Sequence, residues 1–402
     1  NADLAAARAA LVIAHEAAAA NLGVFYPAVE GSFQASREKD ATATVQPTAA
    51  DNSPLLTLFT PQVSVSYDLD LWGGNRRGQE SLEAQSRSQA FQTEATYLTL
   101  AGNVVVVAIE EAGLRRQIAA TRRIVDLAAQ SLDILHRQLA VGQVSEQDVL
   151  AQDTALAQAE QTLAPLERQL DQTRHQLTAL LGRLPADAPD ERFELADLHL
   201  PADLPAALPS RLVERRPDIR QAEADLQAAS AQIGVAIANR LPDITLDATL
   251  GSSATRLQDL LSPGTGLWSV SGNLTAPLFD GFSLMHKERA ARAAYDQAAA
   301  RYRGTVITAF QTVADCLAAL KNDGAALAAA ERADAAADRS LAIARKQLER
   351  GSIAPLALLG AEQAALQASV ALAQAQAAQL TDSAALFQAL GGGWWNRDQE
   401  RG

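Results

Sequence analysis

The sequence predicts a mainly helical fold with a small membrane-type β component, made from one helix, strand, strand, long helical hairpin unit used twice. Three observations predict it. The two halves of the chain read alike in the same order, four segments of roughly ten residues alternate apolar and polar side chains, and helical patterns of about 65 residues run without a break.

The duplication is legible by eye. The opening "NADLAAARAALVIAHEAAAANLGVFYPAVEGSFQAS" reads against "RPDIRQAEADLQAASAQIGVAIANRLPDITLDATLGSS", with Asp3 opposite Asp218 and Pro27 opposite Pro242. "YDLDLWGGNRRG" faces "LTAPLFDGFSLM", which sets Trp72 and Gly74 against Phe279 and Gly281. "RQLAVGQVSEQDVLAQ" faces "KQLERGSIAPLALLGA" further on. The expected organisation is a first repeat over 1–182, a connector over 183–210, a second repeat over 211–391 and a tail over 392–402.

Taken in order, an opening helix leads into a strand expected at 25–36, where Val29, Gly31, Phe33 and Ala35 alternate with Glu30, Ser32 and Gln34. A Thr-, Ser- and Pro-containing loop is expected over 37–61, then a strand at 62–72 in which Val63, Val65, Tyr67, Leu69 and Leu71 alternate with Ser64, Ser66, Asp68 and Asp70. A run of this kind suits a tilted bilayer-spanning strand, and equally one half-buried sheet of a soluble domain. The helix expected at 75–140 would be about 100 Å long at 1.5 Å per residue. Its seam repeats every seven residues at Ile118, Val125, Leu132 and Leu139. Gly142 ends it, Ser145 is placed as an N-cap, and a partner helix at 145–182 repeats Leu156, Leu163, Leu170 and Leu177. The second half follows with a helix at 211–239, strands at 242–252 and 267–279, and helices at 283–350 and 354–390 joined at Gly351, with Pro355 in the first turn of the last.

Composition bounds the function. The chain has 402 residues, only 4% of them aromatic, one cysteine and a formal net charge of -13. The acidic balance and the absence of a basic stripe exclude nucleic acid as a partner. No apolar run approaches the ~20 residues of a membrane-spanning helix, "VVVVAI" at Val104 being far too short, so a membrane crossing would be made by strands. Because the chain opens inside a helical pattern at Asn1, it reads as a mature or trimmed fragment without its targeting signal. The five histidines are scattered without metal-ligand spacing and no nucleophile, base and orienting acid stand in a recognisable arrangement, so no enzyme, cofactor or metal is expected.

Four strands cannot close a barrel, and an open sheet in lipid would leave its edge amides and carbonyls unpaired. A membrane barrel therefore requires several chains. The glycines at the strand-to-helix joints, Gly73, Gly74 and Gly281, could equally begin a phosphate loop. "WGGNRRGQES" however lacks a G-K-[ST] ending and its counterpart puts Asp280 where a phosphate would sit. A joint explains them better. Trp72, Trp268 and Phe279 are placed as membrane-interface aromatics, with Pro277 near a strand end.

On the residues "LDLWG" at 69–73, "PLFDG" at 277–281, "ERRPDIRQAEADL" at 214–226, the glycine-marked tips and the closing "ALGGGW", the chain resembles the outer membrane factor family, the TolC-like and OprM-like channels of Gram-negative bacteria. The resemblance implies a homotrimer whose twelve strands form one β-barrel in outer-membrane lipid, continuous with a twelve-stave α-helical barrel in the periplasm. It further implies a periplasmic adaptor (membrane fusion) protein and an inner-membrane pump as partners, and a lipid anchor upstream of Asn1. The function implied is passive conduction of small molecules in tripartite efflux. A channel for type I protein secretion and a soluble coiled-coil scaffold or adaptor are the alternatives.

Within that reading, Glu30, Asp68, Asp70, Asp243 and Asp247 are expected to line the barrel lumen, multiply by symmetry into acidic rings and favour cations. Glu146 and Asp148, or an apolar closure by Leu356 and Leu359, are the periplasmic gate candidates. Val141, Gly142, Val144 and Ser145 with Gly351, Ser352 and Ile353 are the expected adaptor-docking tips.

Overall fold

The computed structural model describes residues 1–39, 55–188, 190–198 and 215–394. Expected features at 40–54, at 199–214 (most of the connector and the start of the next helix) and at 395–402 in the tail lie outside the described residues. Among the described residues six α-helices and four strands follow in the order α1 (Ala2–Asn21), β1 (Ala28–Lys39), β2 (Leu55–Asp68), α2 (Gly74–Ala140), α3 (Glu146–Leu180), α4 (Pro217–Ala238), β3 (Asp243–Ser252), β4 (Gly266–Thr275), α5 (Ser283–Glu349) and α6 (Pro355–Ala389). Both long helices have 67 residues and both return helices have 35.

Two compact units result. One contains the sheet with residues 9–90 and 221–303. Its strands pair antiparallel in the order β1-β2-β3-β4, so among the described residues β1 and β4 are both open edges. The strand bounds differ from expectation. Residues 22–25 form a short 3-10 turn that delays β1 to Ala28, and β1 and β2 extend outward to Lys39 and Leu55, into the expected loop over 37–61. Pro61 does not stop β2: Phe33 of β1 pairs with it on one side, and pairing toward β3 flanks it at Gln62–Gly251 and Phe59–Ala254, so only the single bond its missing amide would make is lost. Gly251 also allows the close approach: a Cβ there would lie 2.6 Å from the Pro61 carbonyl oxygen. In the same unit, the Ser81 hydroxyl of α2 donates to the Ala228 carbonyl of α4 at 3.2 Å, and a Cβ on Gly234 would meet Arg77 Cγ at 2.7 Å.

The second unit, residues 1–8, 91–220 and 304–402, is helical. Its helix ends share one device. After α2, α3, α5 and α6 the chain turns through Gly142, Gly182, Gly351 and Gly391 at positive φ, and the following residue's amide reaches back five residues, Gln143 to Gln138 and Ser352 to Gln347 at the two tips. α1 meets the end of α3, where Asn1 Nδ2 donates to the Leu180 carbonyl at 2.9 Å. α4 meets the end of α6 in the same manner, with Arg216 donating to the Ala389 carbonyl at 2.8 Å while its other nitrogens hold Asp218. The core near the tips comprises Ile124 of α2, Leu341, Ala344 and Leu348 of α5 and Leu358 and Ala365 of α6.

One sequence expectation needs correcting. α2 and α6 each contain an 18-residue window of mean hydropathy 1.4 and 1.3, apolar enough by length and composition to cross a membrane, although neither has an unbroken apolar run. Alanine raises the average without making a run. Part of this apolar surface is spent between helices, at Val107, Ile109 and Ala112 of α2 and Leu358, Ala365 and Ala373 of α6.

Candidate functional site

Residues opposite each other in a β ladder share a face, so the register decides whether the four alternating patterns cooperate. They do. Val29 opposite Val65, Gly31 opposite Val63, Val63 opposite Leu250, Val65 opposite Ala248, Ala248 opposite Val270 and Leu250 opposite Trp268 make one continuous apolar face. Its side chains are bare: Leu250, Val270 and Trp268 are 68%, 74% and 75% exposed. The other face carries Glu30 opposite Ser64, Asp68 opposite Thr245, Asp247 opposite Ser66 and Ser271, and Asp243 opposite Thr275. Asn273 Nδ2 donates to Asp247 Oδ2 at 2.8 Å across the β3–β4 pair.

Asp70, expected beside these carboxylates, is elsewhere. β2 stops at Asp68, and Asp70 accepts the free amides of Asn75 at 3.0 Å and Arg76 at 2.9 Å, capping the start of α2. A carboxylate at a helix N-terminus satisfies orphan donors and the positive end of the dipole, which outweighs the strand pattern it continues in sequence. Asp280 caps α5 in the same way through the Leu284 amide at 2.6 Å.

The two joints are related but not identical. Gly73 turns the first at φ 73°, while the second uses Gly281 at 65° and then Phe282 at 67°, the one described non-glycine residue with positive φ. Gly74 opens α2 as its first residue, whereas Gly281 lies two residues before α5, so the expected pairing of these glycines slips at the joint. Gly74 also lets α2 pack closely on α4, since a Cβ there would lie 3.0 Å from Ala238 Cβ. Pro277 follows the end of β4. Trp72 donates through Nε1 to the Pro242 carbonyl at 2.6 Å. Phe279 meets Phe282 edge-on with centroids 5.9 Å apart. Trp72 and Phe279 thus stand at the helix end of the sheet, and Trp268 lies on the apolar face near its opposite end.

At the tips, Gly142 and Gly351 adopt φ 74° and 69°. Ser145 and Asp148 form a reciprocal capping box at the start of α3. The Ser145 hydroxyl and amide hold the Asp148 carboxyl below its usual range. Val141 is exposed, Val144 half-buried and Glu146 exposed in the first turn of α3. In the second tip Ser352 donates its hydroxyl to the Gln347 carbonyl, and Ile353 is packed against the tip core. Leu356 is exposed, while Leu359 is half-buried and lines a cleft between α2, α3 and α6.

That cleft contains a residue the sequence reading missed. Glu362 of α6 is 2% exposed; its Oε1 lies 2.7 Å from Ser131 Oγ of α2 and its Oε2 accepts from Gln152 Nε2 of α3 at 3.0 Å. The available signal was a carboxylate in a 35-residue helix with one other acid, Asp382, and no base.

Comparison with known proteins agrees with this geometry. The outer membrane efflux protein family matches residues 1–183 and 208–392, one match for each half of the chain. The pyoverdine export outer membrane protein OpmQ of Pseudomonas putida is 30% identical over 98% of this chain and 83% of its own length. The probable efflux pump outer membrane protein TtgC of the same species is 31% identical over 92% of this chain and 76% of its own length. Among solved structures, the outer-membrane channel OprN aligns with a TM-score of 0.91 at 27% identity, covering 98% of this chain and 88% of that one. The open state of the Neisseria gonorrhoeae MtrE channel aligns with a TM-score of 0.87 at 25% identity, covering 98% and 86%.

Proposed function

The chain belongs to the outer membrane efflux protein family, and we propose that three copies assemble into one conduit whose twelve strands share a lipid-embedded barrel. It is an outer-membrane channel of an efflux pump, with a β-barrel and an α-helical barrel. The observation that carries the proposal is the register. It gathers every alternating pattern into one bare apolar face and one polar face, in a sheet whose two edges are unpaired within the chain. Lipid would cover the first face, water would fill the space bounded by the second, and β1 of one copy would pair with β4 of the next, since no backbone edge is stable in hydrocarbon.

In this reading Glu30, Asp68, Asp243 and Asp247 become acidic rings around the bore, and small molecules delivered by an adaptor and an inner-membrane pump leave through it without any chemical step. The names of the relatives point to small-molecule export and away from type I protein secretion. The tips, Val141, Gly142, Val144 and Ser145 with Gly351, Ser352 and Ile353, would receive the adaptor, their small residues allowing close approach. Glu146, Leu356 and Leu359 would narrow the periplasmic end, while Asp148 contributes chiefly by holding the tip of α3 in shape.

Detergent-extracted protein, weighed intact and then inserted in a planar bilayer, tests this. A mass of three chains, discrete conductance steps and a cation-selective reversal potential in a salt gradient are expected. A monomer without conductance would overturn the channel assembly, and anion preference would overturn the role of the acidic rings.

A further inference from the structure

Charge on the four strands is sorted by face more sharply than alternation requires. The acidic residues Glu30, Glu38, Asp68, Asp243 and Asp247 all have the parity of the polar face. The two basic strand residues, Arg37 and Lys39, both have the parity of the apolar face. They are not spread along it. Arg37 stands opposite Thr57 and Lys39 opposite Leu55, the next two same-face positions beyond the Ala35–Phe59 pair, at the end of β1 remote from the helices. Just below them Phe33 stacks on Phe59 with centroids 6.5 Å apart.

The β3–β4 turn leans to the same side. Ser252, opposite Gly266, has apolar-face parity, and its hydroxyl donates to the Leu260 carbonyl. The turn over 257–261 therefore overhangs the apolar face at this end, with Leu261 98% exposed. Phe59 and Ala254 bridge through both backbone bonds, at 2.9 and 3.1 Å, which ties the turn to the level just beneath Arg37.

A cation facing acyl chains is strongly disfavoured at mid-depth and tolerated only at the interface, where it meets phosphate oxygens. Resting on the membrane reading above, we propose that Arg37 and Lys39 form an outward collar that binds the phosphate groups of lipids in the external leaflet, with Leu261, Trp268 and Phe33 seated in the adjoining chains. Three copies would repeat the collar around the barrel. Acid inside and base outside then separate two tasks: the bore attracts cations while the rim holds anionic lipid.

The test uses the intact detergent-solubilised assembly titrated with bis-phosphorylated lipid A and, separately, with dephosphorylated lipid A. The wild type is expected to prefer the phosphorylated form roughly thirtyfold, Arg37 and Lys39 each contributing a factor of about five. Inorganic phosphate at millimolar concentration should not compete. The R37Q/K39Q variant should lose most of the preference while an E30Q variant keeps it. Equal binding of both lipids by the wild type, or an unchanged preference in R37Q/K39Q, would overturn the proposal. Planar-bilayer conductance on the same preparations separates the two levels: conductance without phosphate preference sinks the collar alone, and loss of conductance in the wild type sinks the channel assembly beneath it.

Discussion

Glu362 and Ser131, both buried, meet across α6 and α2 with 2.7 Å between their oxygens. Because Gln152 of α3 donates to the other oxygen, one carboxylate joins three helices and both helical hairpins. Removing it by Glu362→Ala takes one acceptor each from the Ser131 hydroxyl and the Gln152 amide, which keep the Leu127 and Ala128 carbonyls, at a cost of about 1 kcal/mol. Thermal unfolding should show that loss, with Glu362→Gln closer to wild type. If the hairpins part when the channel opens, Glu362→Ala should also raise the conductance of the closed state in planar bilayers.

Asp70 and Asp68 are two residues apart and do different work. Asp70→Ala should destabilise the start of α2 by about 1 kcal/mol, the usual value of a lost N-terminal cap, and leave ion selectivity unchanged. Asp68→Asn should do the reverse, moving the reversal potential toward zero with little effect on stability. Equal shifts of reversal potential in both variants would return Asp70 to the lumen.

Adjacent residues of β4 should respond oppositely to charge. Val270→Arg puts a cation on the apolar face and should destabilise the folded barrel by about 2–4 kcal/mol if that position lies near mid-membrane. Ser269→Arg faces the polar side, should fold normally, and should weaken cation preference. Urea unfolding in lipid vesicles and salt-gradient recordings measure the two effects.

The capping box at the first tip gives a pH dependence of definite sign. The Ser145 hydroxyl and amide stabilise the charged Asp148, so its folded pKa lies below the ordinary value of 3.8. Its stabilisation is therefore fully present above that ordinary value and is lost as pH falls through the depressed folded one. Ser145→Ala should move the titration back up toward 3.8, read as increased protease cleavage at residues 141–148 beginning at higher pH than in wild type.

Gly142 and Gly351 hold left-handed backbone with nothing within 4 Å of a would-be Cβ, so conformation alone is the constraint. Alanine at either should destabilise its tip by about 1–2 kcal/mol, the strain of a left-handed non-glycine residue. Hydrogen exchange at the ends of α2 and α3, or of α5 and α6, measures this without involving any partner.

Much of the fold was legible because it is written in periods. Two-residue alternation and glycine stops need only local sequence, and the 67- and 35-residue helices fall within a residue or two of their expected limits, but the expected α2 seam is displaced: Val125, Leu132 and Leu139 are half-buried while Ile124, Ala128, Ser131 and Leu135 are buried. The strand ends were less legible. Pro61 reads locally as a breaker, and only the pairing on both sides of it, with β1 at Phe33 and with Ala254 through Phe59, carries the strand past it. Asp70 continues a strand pattern that the backbone has already left.

By itself the sequence determined that each strand has a wet and a greasy side, where the helices stop, and that two similar halves follow one another, because these depend on residues near in the chain. Only tertiary structure decided that four separate patterns fall into one register, that Asp70 caps a helix instead of continuing β2, that Glu362 bridges α2 and α3, and that Arg37 and Lys39 lie on the sheet face away from the acids. Those facts join residues tens to hundreds of positions apart. Ladder pairing and burial assign their chemistry, and neither can be read from neighbours in sequence.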